Sequence, residues 1–160
     1  MFWGLIEYNG RSELIVMERD PQGGRAGYTA RSYIWALQDG LLPIVREDTV
    51  FQQDNAPIHT AYVAREWFKE LDIEVIKFLP YSPDLNPIEH MWAALKRKLN
   101  EMYPELKDCT GETEADRQVF IDAAKAAWAA IDQSYINNLI DSMPRRIEAV
   151  IKAKGWQTRY

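Results

Sequence analysis

Apolar positions come in short blocks over the first eighty residues and in helical stripes after that. FWGLIEY (2–8) and ELIVME (13–18) are β-prone runs joined by Asn9-Gly10-Arg11-Ser12. Asn-Gly between two such runs predicts a hairpin. Asp20 to Gly24 reads as a loop. From Thr29, a side chain able to N-cap, the apolar residues Tyr33, Ala36 and Leu37 recur at helical spacing, and Gly40 and Pro43 punctuate the end. TVFQQ (49–53) predicts a strand that ends in Asp54. A helix is predicted over 60–71, with Ala61, Ala64, Trp67, Phe68 and Leu71 on one face, then a strand over 73–79 and a turn-rich segment over 80–87. Residues 87–102 predict a helix striped with Ile88, Trp92, Leu95 and Leu99. An acidic loop (103–116) follows, then a long helix carrying Val119, Ala123, Ala127, Ala130 and Ile131. A last helix starts near Pro144, is striped with Ile147, Val150 and Ile151, and stops at Gly155. Hairpin, helix, strand, helix, strand, helix is an α/β pattern.

Composition narrows the function classes. The chain has 160 residues, the size of one domain, and 12% are aromatic, which argues against disorder. No apolar run reaches the roughly 18 residues a membrane span needs, and the first residues do not pattern as a secretory signal. A single cysteine, Cys109, excludes an internal disulfide and points to a reducing compartment; in its acidic surroundings it reads as inert. Two distant histidines do not make a zinc site. Any metal would therefore be held by carboxylate oxygens, which favours Mg²⁺ or Mn²⁺.

The net charge of −5 rules out a generic basic DNA-binding module. The acid is concentrated: Glu101 to Asp122 carries a net −5, equal to the whole chain's charge. Elsewhere, Lys96-Arg97-Lys98 and the 142–160 segment with Arg145 and Arg146 form basic clusters. Each reads locally as a solvated helix face or as a phosphate contact.

Asp54 lies at the carboxyl end of a predicted strand, where α/β sheets bind ligands. Glu89 lies in the first turn of a predicted helix, with 34 residues between it and Asp54. One helix, one strand and one turn fit that interval, enough to return the chain to its starting edge. Converging carboxylates repel unless a divalent cation neutralises them, and two such ions about 3.5–4 Å apart serve in-line displacement at phosphorus. Each residue also has a structural reading. Asn86-Pro87-Ile88-Glu89 has the form of a capping box, and Asp54-Asn55-Ala56 that of an Asx turn. His59 is a loop or first-turn residue, or a phosphate or water contact beside Asp54. Asp84 reads as a turn residue and Trp92 as core.

Two long segments carry a family resemblance. FQQDNAPIHTA (51–61) resembles the segment of mariner-superfamily DDE transposases that holds the second catalytic Asp. LPYSPDLNPIEHMWAALKRKL (79–99) resembles the segment that holds the catalytic Glu. WGLIEYNG (3–10) is similar to the family's second strand and hairpin, and SMPRRIEAVIKAKGWQTRY (142–160) to its C-terminal tail. The resemblance covers the chain except the acidic 101–116 segment, which looks like an insertion. It implies a ribonuclease-H-like mixed sheet flanked by helices, formed by residues 1–160 as a single catalytic domain. It also implies divalent-metal-dependent DNA cleavage and strand transfer. Asp54 and Glu89 become catalytic metal ligands for Mg²⁺ or Mn²⁺, and His59, Lys96, Arg97, Lys98, Arg145 and Arg146 become DNA contacts. A nuclear location follows from the implied substrate.

The family's central first strand, with its Asp, has no counterpart ahead of Trp3, nor does its helix-turn-helix DNA-reading domain. Asp20 is a poor stand-in for the missing Asp. The expectation is an N-terminally truncated transposase, inactive as it stands. Residues 2–8 then pair directly with 49–53, or a partner supplies a strand, or the sheet is poorly ordered, and marginal stability or self-association into a homo-oligomer is expected. The alternative is a non-catalytic nucleic-acid-binding or protein-interaction module derived from a transposase.

Overall fold

The computed structural model describes residues 1–24, 27–79, 82–108, 113–156 and 158. In chain order the elements are β1 (Phe2–Trp3), β2 (Ile6–Glu7), β3 (Gly10–Arg11), β4 (Ile15–Val16), α1 (Ala30–Gly40), β5 (Val50–Phe51), α2 (Pro57–Thr60), α3 (Tyr62–Glu70) and β6 (Glu74–Val75). After these come α4 (Ile88–Met102), α5 (Glu114–Ala129), α6 (Gln133–Asp141) and α7 (Met143–Lys152). Short 3-10 turns span Pro83–Leu85 and Pro104–Asp108. Among the described residues, no helix is long and apolar enough to cross a membrane. The class is mixed α/β, as the pattern predicted. Two compact units make up the chain, one of residues 1–4 and 15–82, the other of residues 5–14 and 83–160.

In the first unit β1 pairs antiparallel with β4, and β5 pairs parallel with β6. These two ladders are not joined to each other, so one of the expected alternatives, direct pairing of the 2–8 strand with the 49–53 strand, is not formed among the described residues. Helix α1 starts where the sequence predicts. The Thr29 hydroxyl accepts from the main-chain N–H groups of Arg31 and Ser32, and the Ser32 hydroxyl accepts from the Thr29 N–H. These bonds satisfy amides that a helix start otherwise leaves bare. The core of this unit is Trp3, Tyr33, Leu37, Leu41, Phe51, Ala64 and Phe68, all buried.

Gly40 has a different role from the expected one. It is the buried last residue of α1, and a Cβ there would fall on Trp3 Cζ3 and lie 2.8 Å from Cε3 and 3.1 Å from Ile15 Cγ1. A bare backbone at this position lets α1 lie flat against β1 and β4. The helix predicted over 60–71 is two pieces. Ala61, at ψ 147, is extended and separates the single turn α2 from α3. The 73–79 strand is also shorter than predicted, because beyond Ile76 the Phe78 carbonyl turns to the Asn55 side chain at 2.9 Å.

In the second unit β2 and β3 form a small hairpin, with Glu7 opposite Gly10. The turn is therefore Tyr8-Asn9, one residue ahead of the Asn-Gly centre predicted, and Asn9 takes the left-handed φ of 64°. Gly10 sits in the ladder instead, where a Cβ would meet Glu7 Oε1 at 2.6 Å. The register is set from far along the chain. The Arg11 guanidinium donates to the carbonyls of Trp128 (2.9 Å), Ala129 (2.9 Å) and Ile131 (2.6 Å) at the end of α5. A cation there satisfies orphan carbonyls and complements the helix dipole. Trp128 returns the tie, its indole N–H donating to the Ser12 carbonyl at 2.9 Å.

That cap also ends the predicted long helix at Ala129, and α6 is separate. Val119, placed on the apolar stripe from sequence, is exposed; Ala123, Ala124, Ala127, Trp128 and Ile131 are buried. Trp92 packs beside Trp128 with ring centroids 5.4 Å apart, and Met91, Ala94 and Leu95 complete that face of α4. The acidic segment is not one loop. Glu101 and Met102 finish α4, and Thr113 caps α5 in a reciprocal pair with Asp116. Cys109 and Glu112 lie outside the described residues. On α7 the predicted stripe faces outward: Ile147 and Ile151 are exposed.

Candidate functional site

In the first unit the site is built on the end of β5. The chain leaves the ladder at Gln52, and Asp54 closes an Asx turn: its Oδ1 accepts from the Ala56 N–H at 3.0 Å. Pro57 then opens α2 at a position where its missing N–H costs nothing. One turn later His59 Nδ1 lies 2.6 Å from the same Asp54 Oδ1. Both bonds use one oxygen. Asp54 keeps a side-chain exposure of 49%, and its Oδ2 has no hydrogen bond from a described residue. The predicted neighbours Asp54 and His59 are thus brought together, and the Asx turn forms as well. The structural and functional readings of Asp54 are compatible.

Residues that sequence reasoning passed over support this pair from behind. The Tyr33 ring lies under the His59 ring, centroids 4.2 Å apart. Its hydroxyl donates to Gln53 Oε1, and Gln53 Nε2 donates to the His59 carbonyl at 3.4 Å. Burial, and secondarily the Asp54 carboxylate, push the Tyr33 phenol well above its ordinary value, so it stays a neutral donor. Tyr33 was visible in the sequence only as a core position of α1.

Asp20 is buried and fully engaged. Thr29 Oγ1 donates to its Oδ2 at 2.8 Å and the Gln22 N–H to its Oδ1 at 2.9 Å. The Thr29 bond, then that of Gln22, hold the carboxyl below its usual range. Its work is to tie the 20–24 loop to the start of α1, consistent with its being a poor stand-in for a metal ligand.

In the second unit Glu89 occupies the first turn of α4, exposed, its carboxylate without a hydrogen bond or ion pair from a described residue. The predicted capping box does not form. Pro87, in helical φ/ψ, takes the cap position, so Asn86 lies one residue outside it and no side chain caps the helix. The Glu89 oxygens are therefore left for another partner. The neighbouring His90 is half-buried. Its Nε2 lies 3.0 Å from Arg146 Nη1. Burial, then the guanidiniums of Arg146 and Arg97, pull its imidazole below the ordinary value. The neutral ring accepts, and Arg146 donates.

Of the predicted cationic contacts, Lys96, Arg97 and Arg145 are exposed. Lys98 is half-buried and reaches Glu101 Oε2 at 3.3 Å. Arg146 departs from the expectation. It is 2% exposed, with Nε donating to Ser142 Oγ at 2.7 Å and Nη1 to the Asp84 carbonyl at 3.0 Å. A side chain held this way does not face a phosphate. Position on the helix decided the matter: Arg145 and Arg146 are adjacent in sequence but on different faces of α7.

Asp54 and Glu89 each offer hard carboxylate oxygens, the donor type that suits Mg²⁺ or Mn²⁺. Among the described residues, no three His, Cys, Asp or Glu side chains gather in one cluster able to hold a metal ion.

Comparison with known proteins places these segments. A family of DDE superfamily endonucleases matches residues 26–109, just over half of the chain. The Tc1 transposase of Caenorhabditis elegans is 41% identical over 126 residues, covering 79% of this chain and 41% of that protein. The Mos1 mariner transposase of Drosophila mauritiana is 30% identical over 111 residues, covering 66% of this chain and 28% of that protein. The chain thus spans about two fifths or less of the length of these relatives. The crystal structure of the Mos1 catalytic domain superposes with a TM-score of 0.62 at 22% identity, over 99% of this chain and 82% of that one. The Mos1 paired-end complex with Mn superposes at 0.59 and 26% identity, over 82% and 38%. The mixed α/β architecture is that of the Mos1 catalytic domain, and the chain belongs to the DDE superfamily endonucleases, among the relatives of the Tc1 and mariner transposases.

Proposed function

We propose that residues 1–160 form one catalytic domain of a DNA transposase. Completed by a first carboxylate from elsewhere, it cleaves a DNA phosphodiester at a transposon end with Mg²⁺ or Mn²⁺ and joins the freed 3′-hydroxyl to target DNA. One observation carries this reading: Asp54, at the end of β5, has one oxygen locked by Ala56 and His59 and the other open. A carboxylate fixed through one oxygen and open at the other suits a hard divalent ion. Glu89 is the second ligand, with its carboxylate unengaged. A bound divalent ion supplies activation of the attacking oxygen and stabilisation of the leaving one. The chain's own contribution is positional. His59 fixes the Asp54 rotamer, and Tyr33 and Gln53 fix His59.

Lys96, Arg97, Lys98 and Arg145 are assigned to DNA phosphates, and His59 to a phosphate or water beside Asp54. The finer fold is ribonuclease-H-like, with a further strand between β1 and β5. The unjoined ladders of the first unit support this, and a strand-donating partner is one source of that strand. The Mos1 transposase paired-end complex with left transposon end supports transposon-end DNA as a partner, and a second copy is the other partner proposed. The nucleus is the site of action.

A second reading, a non-catalytic nucleic-acid-binding or interaction module, draws support from Asp20, whose carboxylate is taken up by Thr29 and Gln22. Nicking of supercoiled plasmid with Mn²⁺ separates the two. The first reading expects metal-dependent nicking that Asp54→Asn and Glu89→Gln abolish. DNA binding without nicking at any Mn²⁺ concentration overturns it in favour of the module. In the binding arm, Lys96→Ala or Arg97→Ala takes one cation away from the phosphates, and each should flatten the salt dependence by about 0.9 in log–log slope.

A further inference from the structure

We infer that Arg146 and Thr158, from the C-terminal part of the chain, are positioning residues for Glu89; the inference rests on Glu89 being a metal ligand. The start of α4 lacks the usual means of fixing a helix end, because no side chain caps it and Pro87 brings no N–H. The tail supplies the fixing from outside. Thr158 donates both its N–H and its hydroxyl to Asp84 Oδ2, each at 2.7 Å. Arg146 Nη1 carries two hydrogens, and two acceptors lie 3.0 Å away: the Asp84 carbonyl and His90 Nε2. One nitrogen therefore spans the residue five before Glu89 and the residue one after it.

Arg146 is itself anchored. Its Nε donates to Ser142 Oγ at 2.7 Å, and that hydroxyl donates to the Leu139 carbonyl at 2.5 Å. The guanidinium is buried, so its bonds are not exchanged with water. Within the bracket, the Glu89 N–H reaches the Asn86 carbonyl at 3.2 Å and the His90 N–H the Pro87 carbonyl at 3.2 Å. Glu89 touches neither Arg146 nor Thr158 in this arrangement. They act on the backbone that aims it, as outer-shell groups orient metal ligands elsewhere.

The test uses the full chain, labelled with ¹⁵N, and Mn²⁺ as a paramagnetic probe. Broadening of the amide signals of residues 88–91 is followed as Mn²⁺ is added. Glu89→Gln tests the underlying reading, and it should erase that broadening. Arg146→Gln and Thr158→Val test the inference. Each should raise the Mn²⁺ concentration for half-broadening about tenfold, the lower end of what outer-shell losses cost. Arg146→Lys should recover part of the loss. Arg11→Met, whose bonds go to the carbonyls of Trp128, Ala129 and Ile131 and to none of residues 84–90, should leave the Mn²⁺ response unchanged. That separates positioning from stability. If Glu89→Gln has no effect, the metal reading fails and takes the inference with it. If Glu89→Gln erases the broadening but folded Arg146→Gln and Thr158→Val titrate as wild type, the inference alone is overturned. Should Arg146→Gln not fold, Thr158→Val decides by the same criterion.

Discussion

Replacing Gly40 by Ala sets two opposing effects against each other, and the structure says which wins. Ala is favoured over Gly inside a helix by about 1 kcal/mol. At this position the added methyl would fall on the Trp3 ring and crowd Ile15 Cγ1 at 3.1 Å. Trp3 is 8% exposed and its backbone is paired with Ile15 in the β1–β4 ladder, so the ring yields only if the ladder shifts with it. Overpacking of this kind costs about 1–3 kcal/mol, and overlap with an aromatic ring belongs at the upper end. The expected net is a loss of about 1–2 kcal/mol, a fall in Tm of roughly 3–8 °C for a chain this size. Urea unfolding followed by Trp fluorescence measures it. Gly24→Ala is the control, since a Cβ there meets nothing within 4 Å. It should be neutral or stabilising by about 0.5 kcal/mol. If Gly40→Ala is as stable as the parent, the close approach of α1 to β1 is not what the glycine serves.

Arg11→Met removes three charge-assisted bonds from the end of α5 while keeping the aliphatic stem. The expected loss is about 2–3 kcal/mol, below the sum for three separate bonds because the guanidinium is partly solvated; a change under about 0.5 kcal/mol would show the cap to be incidental. Asp20 makes a prediction about pH. Its carboxyl is held below its unfolded value of 3.8 by Thr29 and Gln22. Its contribution is present above that pH and fades as pH falls through the lower, folded value. Asp20→Asn should flatten the acid limb of the stability curve below about pH 4, and an unchanged limb would contradict the assignment.

The legible parts of the fold were those governed by neighbours in sequence. Thr29 and Ser32 lie three residues apart, and their cap formed as the pattern implied. Asp54 and His59, five apart, met for the same reason. The misread parts are set by distant groups. The hairpin turn moved to Tyr8-Asn9 because Arg11 must reach carbonyls 117 to 120 residues away. The α5–α6 break follows from the same cap. At Glu89 the local pattern suggested a cap, but Pro87 took that place itself, which composition alone does not reveal. Arg146 looked like a surface cation beside Arg145, and only the tertiary position of Ser142, Asp84 and His90 shows it to be a buried strut. Ala61 breaks its helix with neither Gly nor Pro beside it, so no local signal marks the break.

The proposed function gives Asp54 and Glu89 each the role of a ligand to a divalent ion. Crystals grown with Mn²⁺ test it most directly through anomalous scattering. The expected result is a Mn²⁺ peak at coordination distance, about 2.0–2.3 Å, from oxygens of the Asp54 carboxylate and of the Glu89 carboxylate, and its loss in Asp54→Asn and Glu89→Gln crystals. Ordered Mn²⁺ bound elsewhere, with both carboxylates unoccupied at saturating metal, would contradict it.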